Sequence, residues 1–154
     1  SVASHIGDGE RLIVFRSFGK FFGLAGVRLG FVLGPRDMIA SVREAIGSWP
    51  VSAAAIAIGT AAYRDAAWIA ETRQSLAARA AALDAMLARI GMPATGTCPL
   101  FRLIVADDAM AIFERLAGRA ILTRPFDGQP RWLRIGVPGD AAALARLEAA
   151  LRDG

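Results

Sequence analysis

Lysine is almost missing from this sequence. Its 18 basic residues comprise 17 arginines and a single lysine, Lys20. Cysteine is as scarce: Cys98 stands alone, which excludes an internal disulfide and fits a reducing, cytoplasmic setting. There is also only one histidine, His5, and with one His and one Cys the sequence offers no zinc-ligand cluster and no Cys/His nucleophilic motif, so no metal is expected. His5 belongs to the exposed N-terminal stretch, and Cys98, beside Pro99, reads as a small buried apolar residue. No apolar run crosses a bilayer's thickness without a charge, Gly or Pro, so no membrane partner is expected. Residues 1–11 lack a basic stretch followed by an apolar core and carry no signal-peptide pattern. Internal repeats and low-complexity tracts are absent.

What is present is a chain of 154 residues, 55% hydrophobic and 21% charged, enough to bury a core. A net charge of +4 raises the question of nucleic acid. The arginines are spread along the whole chain without interleaved aromatics, which describes a solvated surface and not a binding patch. The scarcity of lysine is more informative. The chain is rich in Ala, Gly and Arg, as GC-rich codons favour, and under that pressure Lys drifts to Arg wherever only positive charge matters. The surviving Lys20 is either chance or a residue whose work Arg cannot do. A primary amine condenses with an aldehyde and a guanidinium does not. Composition leaves those two readings level.

The patterning is α/β. Residues 11–16 and 28–33 read as strands around a Gly-rich loop over 17–27, and 37–46 as a helix ended by Gly47. Residues 48–50 form a hinge. Two Ala-rich helices follow over 51–64 and 66–90, stopped by Gly91 and Pro93. Ile69, Leu76, Leu83 and Leu87 make an apolar stripe, assigned to core or to an interdomain face. Strands are expected at 100–105, 121–124 and 132–137. Asp107 is the expected cap of a helix over 108–117, and Asp140 of one running to 152. Trp49, Trp68 and Trp132 read as packing residues. The remainder from residue 49 is a small domain with a mixed or antiparallel sheet. Two strands alone do not make a stable sheet, so residues 1–48 are expected to be the end of a larger domain, and the chain the C-terminal part of a longer protein.

Chemistry concentrates in the segment Arg16-Ser17-Phe18-Gly19-Lys20-Phe21-Phe22-Gly23-Leu24-Ala25-Gly26-Val27-Arg28-Leu29-Gly30. Ser17 closes the first strand, and ligands collect at the carboxyl ends of strands in α/β sheets. Its hydroxyl can donate to a phosphate oxygen. Arg28 opens the next strand with a planar fork suited to a phosphate dianion. Gly19, Gly23 and Gly26 let the loop turn and approach a ligand. The glycine spacing matches neither the dinucleotide fingerprint nor a Walker loop, since Phe21 stands where Ser or Thr should follow the lysine.

Ser17, Lys20 and Arg28, at this spacing and followed by Leu29-Gly30, resemble the cofactor-lysine signature of class I/II aminotransferases, the pyridoxal-phosphate enzymes of fold type I. The resemblance implies that Lys20 condenses with the cofactor aldehyde and that Ser17 and Arg28 hold its phosphate. Downstream, Arg131-Trp132-Leu133-Arg134-Ile135-Gly136 is similar to the late strand whose arginine binds the substrate carboxylate. Alternation puts Leu133, Ile135 and Val137 on one face and Arg134 on the other; an ordinary exposed strand arginine is the competing reading.

Within the family, SFGKFFGLAGVRLGF, WPVSAAAIAIG, ILTRPF and RWLRIGVPG look most like the threonine-phosphate decarboxylases of cobalamin biosynthesis, close relatives of histidinol-phosphate aminotransferases. That resemblance implies a cytoplasmic homodimer acting on a phosphorylated amino acid. A doubly anionic substrate calls for a second cationic site, for which Arg124 and Arg16 are candidates. The family's ring-nitrogen carboxylate, stacking ring and Asn lie upstream of the lysine, and nothing before Ser17 supplies them; Asp8 reads as a loop residue between glycines. The chain alone is accordingly expected to be an incomplete, inactive part of the enzyme. A non-catalytic basic α/β module, binding nucleic acid or a protein partner, is the alternative from a different class, with only net charge behind it.

Overall fold

The computed structural model describes residues 2–7 and 9–152, so Asp8 lies outside the described residues. The chain divides into two compact units, residues 1–66 and 67–154.

The first unit is built on a two-stranded antiparallel ladder, β1 (Val14–Ser17) and β2 (Gly30–Leu33), in which Ser17 faces Gly30 and Val14 faces Leu33. Both strands are shorter than the apolar runs predict. Residues 11–13 stay outside the ladder, and Arg28 does not open β2. It adopts a left-handed backbone (φ 56°, ψ 39°) after a 3-10 turn over Ala25–Val27, its N–H bonded to the Ala25 carbonyl. A ladder needs paired partners as well as β-prone residues, and the Gly-rich connection consumes Arg28 and Leu29 in its own turn. Helix α1 (Arg36–Ile46) begins after Pro35 and ends at Gly47, whose φ of 75° suits a residue without a side chain. Helix α2 (Ala53–Arg64) is capped by Ser52, whose Oγ accepts from the Ala55 N–H at 3.1 Å.

The second unit sets three helices, α3 (Ala66–Arg89), α4 (Ala109–Gly118) and α5 (Ala141–Arg152), against an antiparallel sheet. Its strands are β3 (Phe101–Val105), β4 (Arg124–Pro125) and β5 (Trp132–Gly136), in the order β3-β5-β4. Strand β4 has two residues where four were expected over 121–124. Ile121 is drawn back instead, its N–H bonding the Leu116 carbonyl at the end of α4. Asp108, not Asp107, caps α4, accepting from the Ala111 N–H at 2.8 Å; Asp107 pairs with Arg131. Asp140 caps the last helix as expected, through the Ala143 N–H.

Leu83, Met86, Leu87, Ile104, Leu116, Leu133 and Ile135 form the core of this unit, each at most 2% exposed. Burial of each contributes about 1.5–3 kcal/mol. The helical stripe is only half core: Leu83 and Leu87 are enclosed, Ile69 and Leu76 half-buried. Of the tryptophans, Trp49 does not pack, at 94% exposure, whereas Trp68 and Trp132 are 38% and 37% exposed and the Trp132 ring meets Phe126 edge-on at 6.0 Å. Cys98 is half-buried rather than enclosed. Among the described residues, no helix is long and apolar enough to cross a membrane, and no group of His, Cys, Asp and Glu could hold a metal ion.

One charged residue enters the core face. Arg102 lies beside Ile104 at 7% exposure, its fork gripping both carboxylate oxygens of Asp84 on α3 and also bonding the Cys98 carbonyl. The Arg102 hydrogen bond holds the Asp84 carboxyl below the usual carboxylate range. A depressed folded-state pKa contributes stability above the unfolded value, about 3.9, and loses it as pH falls through the folded value. Asp84→Asn is therefore expected to lower Tm at pH 7, by about 1 kcal/mol of stability since the Asp84 carboxylate is half open to solvent, and to flatten the loss of Tm below about pH 4. Melting curves from pH 2 to 7 check this; parallel curves for both proteins would rule it out.

Candidate functional site

The lysine turn is built from aromatic residues. Phe18 is fully enclosed, and its ring stacks on Phe22 at 4.4 Å and meets Tyr63 of α2 at 5.5 Å. Phe22 and Phe31 reach the same tyrosine at 5.2 and 5.6 Å. Such pairs are worth about 0.5–1.5 kcal/mol each beyond their buried area. With Phe18 and Phe22 both turned inward, Lys20 between them is left on the exposed side. The turn closes by a bond from the Gly23 N–H to the Lys20 carbonyl at 3.1 Å, and Gly23 supplies the positive φ of 67°. Gly19 is favoured for a different reason. A Cβ there would stand 3.0 Å from the Ala25 Cα, so the two limbs of the loop would have to part slightly to admit a side chain.

A cleft of about 420 Å³ opens beside this turn, and Arg16, Ser17, Lys20 and Arg28 all line it. Three cations line it and, among the described residues, no acidic side chain does, which suits it to an anion. Ser17 Oγ accepts from the Gly19 N–H at 3.2 Å, leaving its own O–H to donate. Arg28 braces its guanidinium on the Ala25 carbonyl at 3.2 Å, with further N–H groups free to bind. Its left-handed backbone costs on the order of 1–2 kcal/mol for a residue with a Cβ, and strain of this kind gathers where a side chain must be presented.

The other two predicted residues lie in the second unit, on the face of the sheet turned away from its core. Arg134 of β5 and Arg124 of β4 are direct cross-strand partners. Among the described residues neither has a carboxylate partner, and the Arg134 guanidinium carbon lies 4.9 Å from the centre of the Phe101 ring. The expected alternation of β5 holds: Leu133 and Ile135 are enclosed while Arg134 faces out. Sequence reasoning missed the aromatic seat of Phe18, Phe22, Phe31 and Tyr63. The signal was available in Phe18-Gly19-Lys20-Phe21-Phe22, where bulky rings flank the lysine closely.

The whole described chain has relatives. Residues 1–151 match the family Aminotransferase class I and II. The chain is 46% identical over 140 residues to a threonine-phosphate decarboxylase of Pseudomonas aeruginosa, covering 91% of this chain and 42% of that protein. It is 45% identical over 152 residues to another from a Sinorhizobium species, covering 98% and 45%. It thus spans less than half the length of these relatives. The crystal structure of histidinol-phosphate aminotransferase from Sinorhizobium meliloti, in complex with pyridoxal-5'-phosphate, superposes with a TM-score of 0.78 at 24% identity, over 97% of this chain and 42% of that one. The two units accordingly have the fold of the corresponding part of a fold type I aminotransferase.

Proposed function

Since this chain belongs to the class I and II aminotransferases, we propose that it carries the cofactor lysine and phosphate anchor of a pyridoxal-phosphate enzyme that decarboxylates L-threonine O-3-phosphate. The observation that carries this reading is the convergence of one amine, one hydroxyl and two guanidiniums on a single cleft that no acidic side chain lines among the described residues. That donor set fits an anionic aldehyde. The proposal extends to a cytoplasmic homodimer, as the family resemblance implies.

The roles follow from the chemistry of each group. Ser17 donates its hydroxyl hydrogen to a phosphate oxygen, and Arg28 adds a charged fork to the same group. Lys20 would hold the cofactor through Nζ, and its free ammonium could donate the proton that takes the place of the lost carboxylate at the substrate Cα. Arg134 binds the substrate carboxylate, and Arg124 beside it, or Arg16 on β1, meets the second anionic group. When bound, pyridoxal phosphate supplies the electron sink for the carbon–carbon bond that breaks.

Truncating Arg28 is expected to weaken cofactor binding more than truncating Ser17. Arg28→Ala removes charge-assisted bonds worth about 1.5–3 kcal/mol, Ser17→Ala a neutral bond worth about 1 kcal/mol. Cofactor dissociation constants of the two variants decide the order, and the reverse order would count against these roles. The reaction itself is tested by incubating the complete enzyme with L-threonine O-3-phosphate and measuring carbon dioxide against keto acid. Release of carbon dioxide supports decarboxylation. Keto acid in its place would assign a histidinol-phosphate-type transamination to the same residues, and neither product would remove the substrate class.

A further inference from the structure

We propose that Phe101 is a positioning residue for Arg134, holding its guanidinium in place on the sheet face where the substrate is read. The inference rests on the proposed role of Arg134 and adds a residue to it.

Arg134 has a difficult neighbourhood. Its direct partner across the ladder is Arg124, and like charges directly opposite each other in a sheet repel. Its partner on the other side is Leu103, which offers no hydrogen bond. No carboxylate among the described residues compensates it. A flexible cation in that position would swing away from Arg124 into solvent, yet Arg134 is half-buried. What restrains it is the face of the Phe101 ring, 4.9 Å from the guanidinium carbon, within the range of a cation–π contact.

The ladder explains how the ring gets there. Phe101 pairs with Gly136, so it stands diagonally from Arg134 on the same face. Gly136 has no side chain and the space above it is open, so nothing at that position competes with Arg134 for the ring. Phe101 itself is 37% exposed, on a strand whose Arg102 and Ile104 point the other way into the core. Its contribution to the core is therefore small, and its contact with Arg134 is the specific interaction it makes. A ring face attracts a cation without neutralising it, so Arg134 keeps its charge for an anionic ligand. A carboxylate in the same place would form an ion pair that the ligand would have to displace.

The test uses the complete holoenzyme and three variants, Phe101→Leu, Phe101→Tyr and Arg134→Ala. The first readout is the Arg134 Nε–Hε resonance, which lies upfield while the ring covers it. The second is KM against kcat for L-threonine O-3-phosphate, with cofactor content as a control for folding. Phe101→Leu is expected to shift the Arg134 resonance downfield and to raise KM about two- to five-fold, with kcat and cofactor content unchanged. Phe101→Tyr keeps the ring and should restore both. An unchanged KM in Phe101→Leu, with the resonance shifted, would overturn the positioning role while leaving Arg134's own role intact. An unchanged KM in Arg134→Ala would instead remove the reading on which the proposal stands.

Discussion

Replacing Lys20 with arginine is expected to reduce turnover of the complete enzyme by about 1,000-fold or more and to leave its fold standing. Arginine preserves the positive charge and most of the bulk of the side chain, so a role in charge alone would survive the change. A role in covalent capture would not, because a guanidinium does not condense with an aldehyde. The fold should tolerate the substitution. Lys20 is exposed, and the turn that presents it is held by the rings of Phe18 and Phe22 on either side. A surface change of this kind costs within about 0.5 kcal/mol. Initial rates, together with an unchanged melting temperature, check the prediction. Borohydride reduction followed by peptide mapping should fix the cofactor on Lys20 alone; a label on another residue would send the search elsewhere.

Arg134→Ala is expected to lower kcat/KM for a phosphorylated amino acid about 30- to 1,000-fold with cofactor content unchanged. Losing a charge-assisted bidentate contact to a carboxylate costs about 2–4 kcal/mol, at one decade per 1.4 kcal/mol. Arg134→Lys should recover only part of the loss, since an ammonium is a point charge and cannot match the two oxygens of a carboxylate. Arg124→Ala tests the neighbouring position. If Arg124 meets the phosphate, the defect should shrink when the substrate's phosphate is removed, whereas the Arg134 defect should persist. Steady-state kinetics on phosphorylated and free amino acids separate the two, and equal defects on both substrates would deny Arg124 that role.

Local signals were legible where one residue decides the outcome. Asp140 announces its helix because a side-chain oxygen next to a helical run has a backbone N–H to satisfy, whereas Ser52, the cap of α2, reads in the sequence as part of its helix. Lys20 stood out through composition, and Ser17 and Arg28 through spacing, before any geometry. The errors fall where competing local patterns are equivalent in sequence. Asp107 and Asp108 are both competent caps, and only the path of the chain into α4 selects the second. Residues 11–13 and 121–123 are as β-prone as those beside them, but a strand ends when its partner ends. Long-range pairs were illegible for the same reason. Asp84 and Arg102, or Phe101 and Arg134, carry no mutual mark in the sequence, since a helix and a sheet must already be packed before they meet.

The exposed turn around the single lysine also makes this stretch of chain unusual as a substrate for proteolysis. A lysine-specific protease has one bond to cut in these 154 residues, between Lys20 and Phe21. That cut would sever Ser17 from Arg28, parting the two phosphate-holding groups at a stroke. An amine tied up in covalent linkage is not recognised by such a protease. The same nitrogen that would hold the cofactor would then decide whether the polypeptide survives intact, so occupancy of the site could be read as the length of the fragment on a gel.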